Sequence, residues 1–145
     1  CGNDRLAVIL GDNIIEKNIV QAVREYERQP EGAKILLKEV PDPQRFGVAR
    51  IIDGRIERIV EKPKEPDSNL AVIGIYFYDS LVFDFIDRLE PSERGELEIT
   101  DVNNLYLERG LLTHSIIDGW WTDAGTFDSL LRAGTLVAET GANNL

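Results

Sequence analysis

Hydrophobic positions in this chain come in short blocks separated by turn residues. Residues 6–10 (LAVIL) are a continuous apolar run closed by Gly11-Asp12-Asn13, the pattern of a buried strand. Over 14–28, apolar side chains at Ile15, Ile19, Val20, Ala22, Val23 and Tyr26 recur at helical spacing, with Glu25, Glu27 and Arg28 on the wet side. This predicts a helix that Pro30-Glu31-Gly32 stops. Residues 33–40 read as a second strand, so the first forty residues predict strand, crossover helix and strand, the unit of a parallel sheet.

The later blocks favour β first and then alternate. Pro41-Asp42-Pro43 is a stiff turn. Two β-rich runs, 46–52 and 55–60, flank Asp53-Gly54, a strong hairpin signal. A polar loop follows over 64–69, and then 70–78 (LAVIGIYFY) is long and apolar enough for a central strand. Ser80 can cap a helix over 81–89, and Thr100 or Asp101 one that runs to Arg109 and ends at Gly110. Residues 111–117 predict another strand, 120–126 a Gly-punctuated turn, and Thr126 the cap of a last helix over 127–139. There is no repeat and no linker, so 1–145 read as one α/β domain.

Composition narrows the class. The 145 residues carry 16 Lys and Arg against 26 Asp and Glu, a net charge of −10. That balance argues against a nucleic-acid binder, which needs a basic face. No apolar stretch approaches the ~18 residues of a membrane span. One cysteine, Cys1, excludes an intrachain disulfide framework and a multi-cysteine zinc site. There is no methionine, even at position 1, and the first strand opens without a preceding unit. Both features suggest a piece of a longer protein with its N-terminal portion missing, and an open sheet edge that self-association would cover.

Several residues could carry chemistry, each beside a plainer structural role. Asp12 falls at the end of the first strand, where open α/β sheets place their ligand crevice, and Asp123 in a Gly-flanked turn before a helix. Both could hold Mg²⁺, which takes one or two carboxylates plus phosphate oxygens, or could simply cap helices. Glu61-Lys62-Pro63 ends an apolar strand. Proline restricts Lys62 to an extended conformation, which sends the two side chains to opposite faces. Glu61 could accept from sugar hydroxyls and Lys62 meet a phosphate, or the two could be an exposed strand-end pair. Gly47 and Gly74 could let a ligand lie against backbone, or could mark bulges. Tyr76 is core or pocket wall, and Arg94 is a phosphate-seeking loop cation or plain surface. His114 lies in a strand with no Ser or Cys partner evident, and reads as structural. Trp120 and Trp121 read as core and interface.

Taken in order, the motifs say more. Leu10-Gly-Asp-Asn13, the 41–48 stretch PDPQRFGV, Val60-Glu-Lys-Pro63, the 71–79 stretch AVIGIYFYD, the 94–103 stretch RGELEITDVN and Trp121-Thr-Asp-Ala-Gly-Thr126 closely resemble the glucose-1-phosphate thymidylyltransferases. These are the sugar nucleotidyltransferases that make dTDP-glucose for rhamnose-type sugars. The resemblance implies a Rossmann-like nucleotide-diphospho-sugar transferase fold with a mixed sheet, and Mg²⁺ as cofactor. It also implies attack of glucose 1-phosphate on the α-phosphate of dTTP, with pyrophosphate leaving. It places Asp12 and Asp123 on the metal and Lys62 and Arg94 on phosphates. Gly47, Glu61, Val72, Gly74 and Tyr76 would line the sugar side. A cytoplasmic homo-oligomer with no nucleic-acid or membrane partner is expected.

The family's N-terminal glycine-rich loop, with its catalytic arginine, has no match in these 145 residues. The expected entity is therefore the acceptor-sugar half plus the metal carboxylates, inactive alone. A non-catalytic sugar-phosphate-binding or assembly module, or one half of a split enzyme, are the alternatives. Uridylyl and cytidylyl relatives are the nearest rivals for the base.

Overall fold

The computed structural model describes residues 4–92 and 95–142. In chain order its elements are β1 (Leu6–Ile9), β2 (Asn13–Ile15), α1 (Val20–Arg28), β3 (Ala33–Glu39), β4 (Gly47–Ile52), β5 (Arg55–Glu61), β6 (Leu70–Tyr78), α2 (Leu81–Ile86), α3 (Ile99–Glu108), β7 (Leu112–Ile116), β8 (Trp121–Asp123) and α4 (Phe127–Thr140).

The nine β-formers of β6 are the spine. Eight of the nine residues are buried, and alternate side chains enter two different cores, as the period of a strand requires. Ala71, Ile73, Ile75 and Phe77 pack with Ala22 and Tyr26 of α1 and with Trp121. Val72, Tyr76 and Tyr78 pack with Val82, Phe85, Val102 and Tyr106 of α2 and α3. Helices thus cover both faces of the sheet.

Strand order is β5-β4-β6-β3-β7, with β1 also on β6. β3 runs antiparallel along one edge of β6. The other edge is shared. β4 pairs with its start, Ala49 opposite Leu70 and Val48 opposite Ala71, and β1 with its end, from Ile9 opposite Ile75 to Leu6 opposite Tyr78. Between the two, the sheet splits beside Val72, Ile73 and Gly74, and the candidate site lies at that split.

Two sequence expectations need correction. β1 and β3 do run the same way, but β6 lies between them and is antiparallel to both; the parallel neighbours are β3 and β7. The sheet is therefore mixed. The helix expected from residue 14 begins at Val20. Ile14 and Ile15 instead form β2 with Thr122 and Trp121 of β8, inside the segment expected to be a turn. Helical periodicity could not show that two β-branched residues have a strand partner over a hundred residues away.

Other signals translate directly. Asp53 and Gly54 both adopt positive φ, 49° and 74°, and turn β4 into β5. Thr126 caps α4 by accepting from the Ser129 amide, 3.2 Å. Asp79, rather than Ser80, tethers the start of α2, accepting from the Leu81 amide at 3.1 Å. α3 starts at Ile99, with neither Thr100 nor Asp101 as its cap. His114 is a half-buried β7 residue whose carbonyl accepts from the ammonium of Lys34. No described helix is long and apolar enough to cross a membrane.

Candidate active site

The split in the sheet opens into a cavity of about 270 Å³. Asp12, Gly47, Glu61, Lys62, Val72, Gly74, Tyr76 and Asp123 all line it, so every sequence-selected site residue within the described chain meets in one place. Arg94 lies outside the described residues.

The β2–β8 ladder sets the two aspartates. Asn13 pairs with Asp123 in register, and the Ala124 amide donates to the Asp12 carbonyl, 2.7 Å. A methyl group built on Gly125 would lie 2.9 Å from Asp123 Oδ1 and 3.2 Å from Asp12 Oδ2, so both carboxylates border the space that the glycine leaves open. Asp123 Oδ1 also accepts from the Gly125 amide, 2.6 Å, and the Arg45 guanidinium stands 3.7 Å from Oδ2. Two convergent carboxylates suit Mg²⁺, which fills its remaining positions with water and phosphate oxygens. No group of three or more metal-ligating side chains occurs among the described residues.

The opposite wall of the cavity follows from the hairpin register. Gly47 pairs with Glu61. A methyl on Gly47 would come within 3.1 Å of Thr100 Oγ1 and 3.3 Å of Glu61 Oε2. Its smallness makes room for the Glu61 carboxylate, which accepts from Thr100 Oγ1 at 2.5 Å. Gly47 is therefore no bulge, and Thr100, read in the sequence only as a cap, is a wall residue. Burial first, then the charges of Glu61 and Asp12, push the Tyr76 hydroxyl above its ordinary range.

Lys62 departs from expectation. Its φ is +41°, in the left-handed region rather than extended. Its amide donates to the Phe46 carbonyl, 3.0 Å. The turn brings Lys62 Nζ to 3.9 Å from Glu61 Oε1, so the two share the cavity instead of facing apart. Strain of this kind in a non-glycine residue costs about 1–3 kcal/mol and is concentrated at functional positions.

Sequence reading also passed over Asn13 and Arg45 as individual site residues; each appeared only inside a longer motif. Both line the cavity, as does Trp121, which is buried as expected and meets Phe46 edge-on at 5.0 Å. Trp120 is partly buried and donates its ring N–H to Thr140. The cavity holds Asp12, Glu61 and Asp123 against Arg45 and Lys62. Among these described residues the acids outnumber the cations, which favours a cation beside an entering phosphate.

This curled mixed sheet, with its acidic split, defines a nucleotide-diphospho-sugar transferase fold. The family model described as "Nucleotidyl transferase" matches residues 2–140, and the chain belongs to that family. It is 46% identical over 140 residues to the low-salt glycan biosynthesis nucleotidyltransferase Agl11 of Haloferax volcanii, covering 95% of this chain and 39% of that protein. It is 42% identical to a glucose-1-phosphate thymidylyltransferase of Neisseria meningitidis, covering 94% and 49%. A crystal structure from Bacillus anthracis, assigned as a glucose-1-phosphate thymidylyltransferase and holding a sucrose, superposes with a TM-score of 0.89 at 59% identity, covering 95% and 56%. The chain thus spans about half the length, or less, of the curated relatives it matches.

Proposed function

We propose that this chain carries the sugar-phosphate half of a glucose-1-phosphate thymidylyltransferase. The convergence of Asp12, Asp123, Glu61 and Lys62 on one cavity is the observation that supports this most. Glucose lies against the backbone of Gly47 and Gly74, with Val72 and Tyr76 as its walls and Glu61 accepting from its hydroxyls. Lys62 donates to the sugar phosphate, and Arg94 reaches a phosphate from its loop. Asp12 and Asp123 hold Mg²⁺, which supplies charge neutralisation for two mutually repelling phosphate substrates.

In the whole enzyme an oxygen of glucose 1-phosphate forms the new P–O bond to the α-phosphorus of dTTP. The α–β anhydride bond breaks and pyrophosphate leaves with its electron pair. No protein nucleophile takes part; alignment and charge do the work. The 145 residues contain no glycine-rich triphosphate loop, so the chain alone binds sugar phosphate without turnover. It also self-associates: α4 leaves Phe127 93% and Leu131 74% exposed. A soluble cytoplasmic setting in nucleotide-sugar synthesis of the dTDP-rhamnose type accords with these substrates.

Calorimetry with glucose 1-phosphate in the presence of Mg²⁺ tests the assignment. Lys62→Met is expected to weaken binding at least tenfold, since a charge-assisted hydrogen bond is worth about 1.5–3 kcal/mol. Equal affinity in wild type and variant overturns it. Pyrophosphate release from dTTP and glucose 1-phosphate by the 145-residue chain alone overturns the inactivity.

A further inference from the structure

Where β1 leaves β6, the sheet loses a strand partner but not its hydrogen bonds. The Leu10 amide donates to the Gly74 carbonyl, 2.8 Å. The Gly74 amide donates to a side chain instead of a strand, Asn13 Oδ1 at 2.8 Å. The same oxygen accepts from Trp121 Nε1, also at 2.8 Å. Both its lone-pair directions are then engaged, which fixes the plane of the amide. The Nδ2 end consequently points one way, and it donates to Asp12 Oδ1 at 2.9 Å. This arrangement needs a glycine beneath it, because a methyl at Gly74 would lie 2.4 Å from Asn13 Nδ2.

We infer that Asn13 is a positioning residue that orients the Asp12 carboxylate toward a divalent cation. Asn13 holds one carboxylate oxygen and leaves Oδ2 directed to the space beside Gly125, which Asp123 also borders. Hydrogen bonds behind a metal ligand characteristically fix its rotamer, and their loss costs about 10–100-fold in metal affinity. A side chain standing in for a ladder partner ties that orientation to the central strand rather than to a loop. The inference rests on the metal role proposed for Asp12.

The test is Mn²⁺ titration of the 145-residue chain, followed by paramagnetic broadening of its backbone amide resonances. Asn13→Ala is expected to weaken Mn²⁺ binding at residues 12 and 123–125 about tenfold and to shift the Trp121 indole N–H resonance. Tyr26→Phe, which removes a buried hydrogen bond to the Gly32 carbonyl and lies outside the cavity lining, is the control and leaves Mn²⁺ affinity unaltered. Asn13→Ala affinity within twofold of wild type overturns the inference. If Asp12→Asn also leaves affinity unchanged, the metal role itself is wrong; if Asp12→Asn alone abolishes binding, only the role of Asn13 falls. Should Asn13→Ala not fold, the wild type decides. The Asn13 side-chain amide signals are expected to move with Mg²⁺ at the half-saturation seen for Asp12, and static signals contradict the inference.

Discussion

Asp12 and Asp123, 111 positions apart in the chain, border one methyl-sized space beside Gly125, with their nearest oxygens 3.2 and 2.9 Å from its centre. The chain reaches this geometry by pairing two three-residue strands that have no other role in the main sheet. Gly125 does not adopt positive φ, so alanine is conformationally acceptable there. Gly125→Ala therefore strains no backbone, and its stability cost is the crowding of Asp123 Oδ1, about 1 kcal/mol. It should weaken Mn²⁺ binding about tenfold by pushing the carboxylates apart. Thermal unfolding and a Mn²⁺ titration check both; unchanged affinity would show that the space between the aspartates is not used.

Gly47 makes a parallel case on the wall it forms with Glu61 and Thr100. A methyl there crowds Thr100 Oγ1 and Glu61 Oε2 together, where they already share a 2.5 Å hydrogen bond. Overpacking of this kind costs about 1–3 kcal/mol. Gly47→Ala is expected to lower Tm by several degrees and to reduce glucose 1-phosphate affinity. Thr100→Ser, which keeps the donor, should restore part of the affinity in the double variant. A Gly47→Ala protein with native Tm and native affinity would contradict this account of the wall.

Lys62 separates stability from binding. Its left-handed backbone, φ +41°, suits glycine better than lysine. Lys62→Gly is expected to keep Tm or raise it by a few degrees, while reducing glucose 1-phosphate affinity at least tenfold. A clear drop in Tm would mean that the ammonium stabilises the fold more than its backbone strains it.

A pH dependence follows from α1, where Glu25 reaches Ser115 of β7 and Lys34 of β3. Hydrogen bonds from Ser115, Gln21 and Lys34, in that order, hold the Glu25 carboxyl at about 2, below its ordinary 4.5. A depressed acid stabilises the fold fully above its unfolded value. That stability drains as pH falls from about 4.5 toward 2. Glu25→Gln should flatten the fall of Tm between pH 5 and pH 2.5, as ~0.5-unit steps in a thermal scan would reveal. A wild-type profile identical to that of the variant would remove Glu25 from the acid response.

Local signals carried much of this molecule. Asp53-Gly54 specified a hairpin because both residues tolerate positive φ, and 70–78 specified a buried strand because nothing in it wants water. The motif order carried the convergence: eight of the nine residues singled out line one cavity, and the ninth, Arg94, lies outside the described residues. What stayed hidden depends on distant partners. Ile14 and Ile15 look helical until Trp121 and Thr122 lie beside them. Lys62 looks extended before Pro63 until the Phe46 carbonyl captures its amide. Asn13 looks like a turn residue, because no sequence pattern shows that its side chain completes a ladder with Gly74.

The most direct test of the central claim is an amide NMR titration of the 145-residue chain with glucose 1-phosphate, with and without Mg²⁺. Shifts are expected to cluster at Gly47, Glu61, Lys62, Val72, Gly74 and Tyr76. Affinity should rise with Mg²⁺, and that rise should vanish in Asp12→Asn. Shifts elsewhere on the molecule, or binding indifferent to Mg²⁺ and to Asp12→Asn, would contradict a metal-assisted sugar-phosphate site at the split in the sheet.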